Sequence, residues 1–226
     1  MTVQTAMAAA ATLVALAFAM STFERWLDRR RRHELAWSVA LALFAAGSAS
    51  LWLGAGNGWN GPTFRAFYLF GAILNVPVLA LGTVYLLGGN RRGDRWAAVV
   101  GLVSAFAVGV VVAAPLEASV PPDRLPQGSE VFGPLPRVLA AVASSGGALV
   151  VLAGAAWSAW RLRRGAGGRR LAGANLLIAA GTLVLAGSGI LNSVLDEMEA
   201  FSVSLVAGIT LIFGGFLVAV AVPRPR

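Results

Sequence analysis

Residues 68–89, YLFGAILNVPVLALGTVYLLGG, run for 22 positions without a charged side chain. A helix of that length rises about 33 Å, enough to cross the ~30 Å hydrocarbon layer of a bilayer. Six more apolar stretches flank it, and the spacing predicts spans over 3–21, 35–54, 64–87, 96–114, 137–158, 171–192 and 200–221. The composition of the whole chain agrees. Of 226 residues, 58% are hydrophobic and only 12% charged, and the mean hydropathy is +0.75. Disorder and an ordinary soluble domain are both excluded. The expected fold class is all-α: a single domain over 1–226, a polytopic bundle of seven transmembrane helices.

Charge sets the expected orientation. All 18 basic residues are arginines. Fifteen of them follow the first, third, fifth and last spans, as Arg25 and 29–32, Arg91, Arg92 and Arg95, Arg161, Arg163, Arg164, Arg169 and Arg170, and Arg224 and Arg226. Only Arg65, Arg124 and Arg137 fall on the other side. The positive-inside rule then places the N-terminus outside and the C-terminus in the cytoplasm, in the inner (cytoplasmic) membrane. Residues 1–4 carry no positive charge and the basic cluster follows the first span, so that span reads as an uncleaved helix and not as a signal peptide. The arginine runs lack interleaved aromatics, which argues for contact with anionic phospholipid headgroups and against nucleic acid. Trp26, Trp37, Trp96, Trp157 and Trp160 lie at the expected cytoplasmic ends, and Trp52 and Trp59 at the outer face, as headgroup anchors would. The connection 115–136 contains six prolines and reads as an extended outer linker, with a lid over an outward cavity as the other reading.

Several functions are excluded by residue type. Without cysteine there is no disulfide, thiolate metal site or iron–sulfur cluster. The single histidine, His33, sits in an arginine run, so bis-histidine haem ligation is not available. Without lysine no retinal Schiff base can form. All ten acidic residues fall outside the predicted spans, which removes the buried carboxylates that proton-coupled carriers and intramembrane hydrolases need. No enzyme activity, cofactor or metal is therefore expected. The outer trio Asp196, Glu197 and Glu199 reads as solvated carboxylates.

The remaining candidates are polar groups at depth. Tyr68, Gly71, Asn75, Val78, Gly82, Tyr85 and Gly89 recur in steps of three and four and so share one helix face. Pro77 lacks a backbone donor and should free the carbonyl of Ile73, kinking the helix two residues beyond Asn75. Asn175, Ile178, Thr182, Leu185, Gly189 and Asn192 form a similar stripe in the sixth span, and Ser144, Gly147, Val151, Gly154 and Ser158 one in the fifth. Such stripes either pack helices closely or line a cavity. On the cavity reading, the ligand-binding candidates are Asn75, Tyr68, Gly71, Pro77, Asn175, Thr182 and Asn192. Arg65 joins them as a charge near a helix body that could bind an anion or snorkel outward.

An offset of 136 residues carries the first three spans onto the last three, leaving the fourth as a linker. This 3+1+3 parallel repeat resembles the SWEET sugar carriers in helix count and topology. Those carriers have hinge prolines in the first two helices of each triplet, and none of spans one, two, five and six has an internal proline here. Sugar transport is therefore not implied. The stretch 68–89, together with RRRRHELAW at 29–37, resembles multi-pass, seven-helix integral membrane proteins of GC-rich bacteria that have no characterised activity. That resemblance implies a membrane bundle and no particular substrate. The function expected is a non-enzymatic, transporter-like membrane protein that binds or passes a small neutral or lipidic molecule through an intramembrane cavity. The alternative is a membrane sensor or assembly subunit acting through a separate partner protein. Only 223–226 follow the last span, which weighs against self-contained signalling.

Overall fold

The computed structural model describes residues 3–162, 168–195 and 198–220, and the side-chain surroundings of 3–161, 173–188 and 200–218. Among the described residues seven helices exceed 20 residues. They are α1 Val3–Arg29, α2 Arg32–Asn57, α3 Gly61–Gly88, α4 Asn90–Ala113, α5 Pro134–Leu162, α6 Gly168–Leu195 and α7 Met198–Val220. Six of them are long and apolar enough to cross a membrane, and α6 contributes the apolar stretch Gly173–Ser188. The chain is an all-helical, multi-pass membrane protein, because only helices with internally satisfied backbone groups suit both that hydropathy and lipid.

Short turns join α1 to α2, α2 to α3 and α3 to α4 and make each pair antiparallel. Arg30 and Arg31 alone connect α1 to α2. Arg30 takes φ +52° and its N–H donates to the Trp26 carbonyl at 2.7 Å, a left-handed C-cap without the usual glycine. Asn60 starts α3 by accepting the Thr63 N–H at 3.0 Å, with Pro62 in the first turn. Gly89 turns the chain into α4 at φ +77°, where a side chain would be strained.

Laterally, six helices close into a ring: α1 beside α2, then α3, α5, α6 and α7, which returns to α1. Phe18 of α1 seals the last contact, stacking on Phe213 at 4.7 Å and reaching Phe216 at 5.0 Å. Glycines set the closest approaches. A Cβ on Gly47 of α2 would lie 2.9 Å from the Gly71 Cα of α3, and one on Gly147 of α5 would meet Val76 at 2.8 Å. α4 stands outside the ring against α3 and α5; only 11% of its apolar window is buried, compared with 50% for α2.

At one end of the bundle, the arginine end, ion pairs tie the connections together. Arg32 pairs with Asp94, which also accepts from the Tyr85 hydroxyl at 2.8 Å. Arg25 meets Glu34 at 3.2 Å. Glu34 corrects the expectation that the acids all lie outside the apolar body: α2 begins at Arg32, and Glu34, in its first turn, is only 1% exposed.

The opposite end also departs from expectation. The 115–136 connection is not a free linker. Leu116 and Phe132 form an isolated antiparallel bridge, Gly128–Val131 makes one helical turn, and Leu125, Val131 and Phe132 are fully buried. The apolar residues between the prolines explain the collapse, since Phe132 stacks on Phe64 at 5.3 Å and packs on Tyr68 at 5.0 Å. Trp59 is likewise no headgroup anchor. It is 4% exposed, lies edge-on to Phe67 at 5.6 Å, and its backbone N–H donates to Pro122 at 3.0 Å. The missing side chain of Gly54 leaves the space for its ring.

Candidate functional site

Because the ring has six members and only small residues at several contacts, its centre is not filled. A cavity of about 590 Å³ lies there, walled by α2, α3, α5, α6 and α7 and bordered by Pro126, Gln127, Gly128 and Ser129 of the long connection. That volume is in the range of small-molecule sites. Phe67, Leu79, Phe201, Leu205 and Ile212 make much of the wall apolar.

α3 shapes the cavity. It is α-helical from Gly61, π-helical over Tyr68–Leu74 and α-helical again from Asn75. Where an i→i+5 pattern returns to i→i+4 just ahead of a proline, the carbonyls run short of N–H partners. The Ser144 hydroxyl of α5 donates to the Ala72 carbonyl at 2.6 Å and supplies one of the missing donors. The irregularity expected at Pro77 therefore extends a full turn toward Tyr68, and the bond from outside is received at Ala72 instead of Ile73. Backbone of this kind is tolerated at membrane depth where protein or a cavity surrounds it.

Asn75 follows directly after the π-helical segment. It lines the cavity, is 7% exposed, and its Oδ1 has no hydrogen-bond partner. A buried amide oxygen left unpaired costs about 1–3 kcal/mol, so the position invites a donor. Three hydroxyls on the wall, those of Ser144, Thr182 and Ser188, are already engaged with carbonyls. Thr182 donates to the Ile178 carbonyl at 2.8 Å and Ser188 to the Leu185 carbonyl at 2.6 Å. Tyr68 lies where α3 meets the connection, its ring against Gly128, where a Cβ would come within 2.6 Å.

Of the residues singled out from sequence, the cavity brings together Tyr68, Gly71, Asn75 and Thr182. Pro77 shapes the helix but does not line the cavity. Asn175 lies elsewhere, donating from Nδ2 to the Ser158 hydroxyl at 3.1 Å between α6 and α5. Arg65 also lies away from it. Its guanidinium donates to the carbonyl of Val111 and, at 2.7 Å, to that of Ala114, and it covers the Phe132 ring at 5.6 Å. It thus satisfies the carbonyls at the end of α4 and sits favourably on that helix dipole. The side chain of Asn192 lies outside the described surroundings.

The cavity also contains residues that the sequence reading did not select, chiefly Arg137, Gln127, Ser129 and Ser48. A signal for Arg137 did exist, as one of three arginines on the side that the positive-inside rule depletes. Of the other two, Arg65 caps α4 and Arg124 pairs with Glu130 at 2.8 Å. Hydrogen bonding from Arg124, with a further bond from the Gln127 N–H, holds the Glu130 carboxyl below its ordinary range. Among the described residues no group of three or more metal-ligating side chains comes together.

Set against protein-family models, curated proteins and solved structures, the chain matches none of them. The class that the fold defines is therefore a multi-pass helical membrane protein with a central cavity, and no family is assigned beyond it.

Proposed function

We propose that this chain is a non-enzymatic membrane protein that binds or passes a small neutral or lipidic molecule through the cavity around Asn75. The observation that carries this reading is the unpaired Oδ1 of Asn75, buried on the wall of a cavity large enough for such a molecule. The reading takes all seven long helices as spans, with the arginine end in the cytoplasm against anionic headgroups and the cavity toward the outside of the inner membrane. It also takes the two triplets as a parallel repeat. In support, exchanging α1–α3 with α5–α7 turns the α3·α5 contact into α7·α1, and both contacts exist.

Asn75→Leu should keep the protein folded and abolish ligand binding or flux, measured by mass spectrometry of co-purifying small molecules in parallel with the wild type. An unchanged set of bound molecules would refute the proposal.

One observation favours the second reading, an assembly or sensor subunit. Gly101 and Gly109 on peripheral α4 have open space where a side chain would stand. A partner helix could pack there closely. Recovery of a stoichiometric partner from gently solubilised membranes would favour this reading, and recovery of the chain alone the first.

A further inference from the structure

Among the described residues Arg137 is the one cavity-lining side chain with a full charge. It is exposed at the loop end, in the first turn of α5, and makes no ion pair with any described carboxylate. The nearest candidate by sequence, Glu130, is held by Arg124. Arg137 and Tyr68 both line the cavity, and Tyr68 packs against Gly128 of the connection that leads into α5. Asn75 lies seven residues further along α3 than Tyr68, about 10 Å deeper along the axis. Beyond it the wall carries Leu79 and Ile212, and Leu205 lies on the wall nearer the mouth. Charge at the mouth, an unpaired acceptor at mid-depth and an apolar floor describe the negative image of an amphiphile.

We infer that the cavity takes an amphiphile with an anionic head, held at Arg137, and a hydrogen-bond donor on its chain roughly 10–15 Å from the head, held by Asn75. By the register that the Ser144–Ala72 bond sets, the two residues stand ten helical positions apart along the axis. The inference rests on the cavity reading proposed above and adds the chemical class of the occupant. A guanidinium without an ion pair, set among the neutral polar groups Tyr68, Gln127 and Ser129, selects a carboxylate or phosphate over a neutral head. An acceptor without a donor selects a hydroxylated or amide-bearing chain over a plain one.

The test uses the full chain in nanodiscs of zwitterionic phosphatidylcholine at pH 8, so that no lipid of net negative charge competes for the arginine. The probes are 12-hydroxystearate, its methyl ester and plain stearate, with dodecyl phosphate as competitor. Wild type should bind 12-hydroxystearate roughly tenfold more tightly than the ester. Arg137→Gln should remove that preference by weakening the acid alone, and Arg137→Lys should restore much of it. Asn75→Leu should remove the preference for hydroxystearate over stearate. Displacement by dodecyl phosphate would identify a phosphate head as accepted, and its failure would narrow the head to a carboxylate; either agrees with an anionic site. Equal binding of acid and ester, unaffected by Arg137→Gln, would overturn the inference and leave the cavity reading standing. Absence of binding by every probe, with co-purifying molecules unchanged in Asn75→Leu, would overturn both. Arg137 is exposed, so its variants should fold and the head-group arm stands even if Asn75→Leu does not accumulate.

Discussion

Arg65 and Arg137 share one end of the bundle and have opposite fates, because one finds free carbonyls within reach and the other does not. Nothing local in sequence distinguishes them; the carbonyls of Val111 and Ala114 come from a helix that begins 25 residues later. Glu34 shows the same dependence on context. Its carboxylate is buried and rests on Arg25, whose guanidinium also lies 5.2 Å over the Phe216 ring. Removing the cation should strand a buried anion, so Arg25→Gln is expected to destabilise the protein by about 3 kcal/mol. Glu34→Gln should cost less, since the Arg25 side chain keeps 21% of its exposure to solvent. Denaturant titration of the two purified variants checks the order. Equal small losses would show that the pair contributes little.

At the scale of elements, the Ser144 hydroxyl donating to Ala72 is the bond that couples α5 to the irregular part of α3. Ser144→Ala should destabilise by about 1 kcal/mol and raise amide exchange over 68–76 more than elsewhere, as measured by hydrogen–deuterium exchange. Uniform exchange along α3 would contradict this role. The connection over the cavity has its own control. Glu130 is held below its ordinary range by Arg124, so its contribution to stability is complete above the unfolded carboxyl's titration. It is lost as pH falls through the lowered value of the folded state. Protection of the 127–132 amides, relative to the intrinsic exchange rate at each pH, should therefore fall on acidification below the usual carboxylate range, and in Glu130→Gln it should be low already at neutral pH. Equal protection at pH 7 and in that range would contradict the connection's dependence on this pair. The helices themselves were legible from apolar length and arginine spacing, as α1 to α5 and α7 show. The folded connection and the buried Trp59 were not, because each depends on a distant partner, Phe64 for Phe132 and Pro122 for Trp59.

For the whole molecule, the feature that matters is a ring of helices with an unfilled centre. Part of the candidate site could be read in advance. Tyr68, Gly71 and Asn75 fall on one face by their spacing alone, and Thr182 belongs to a comparable stripe. Asn175 could not be separated from these by sequence. A stripe that packs and a stripe that lines a cavity share a period, and only the Ser158 partner reveals which it is. The 115–136 contribution, with Gln127 and Ser129, was hidden because a proline-rich composition describes a chain's stiffness and not where it folds back. The absence of cysteine makes the central claim open to a clean measurement, since each introduced thiol is the only one. Ala148→Cys and Leu205→Cys line the cavity, whereas Leu102→Cys on α4 is 75% exposed on the outside of the ring, toward lipid in the proposed arrangement. A small water-soluble thiol reagent applied from the side of the 115–136 connection should label the first two and spare the third. Labelling of Leu102→Cys with protection of Ala148→Cys and Leu205→Cys would contradict a water-reachable cavity inside a ring of membrane helices.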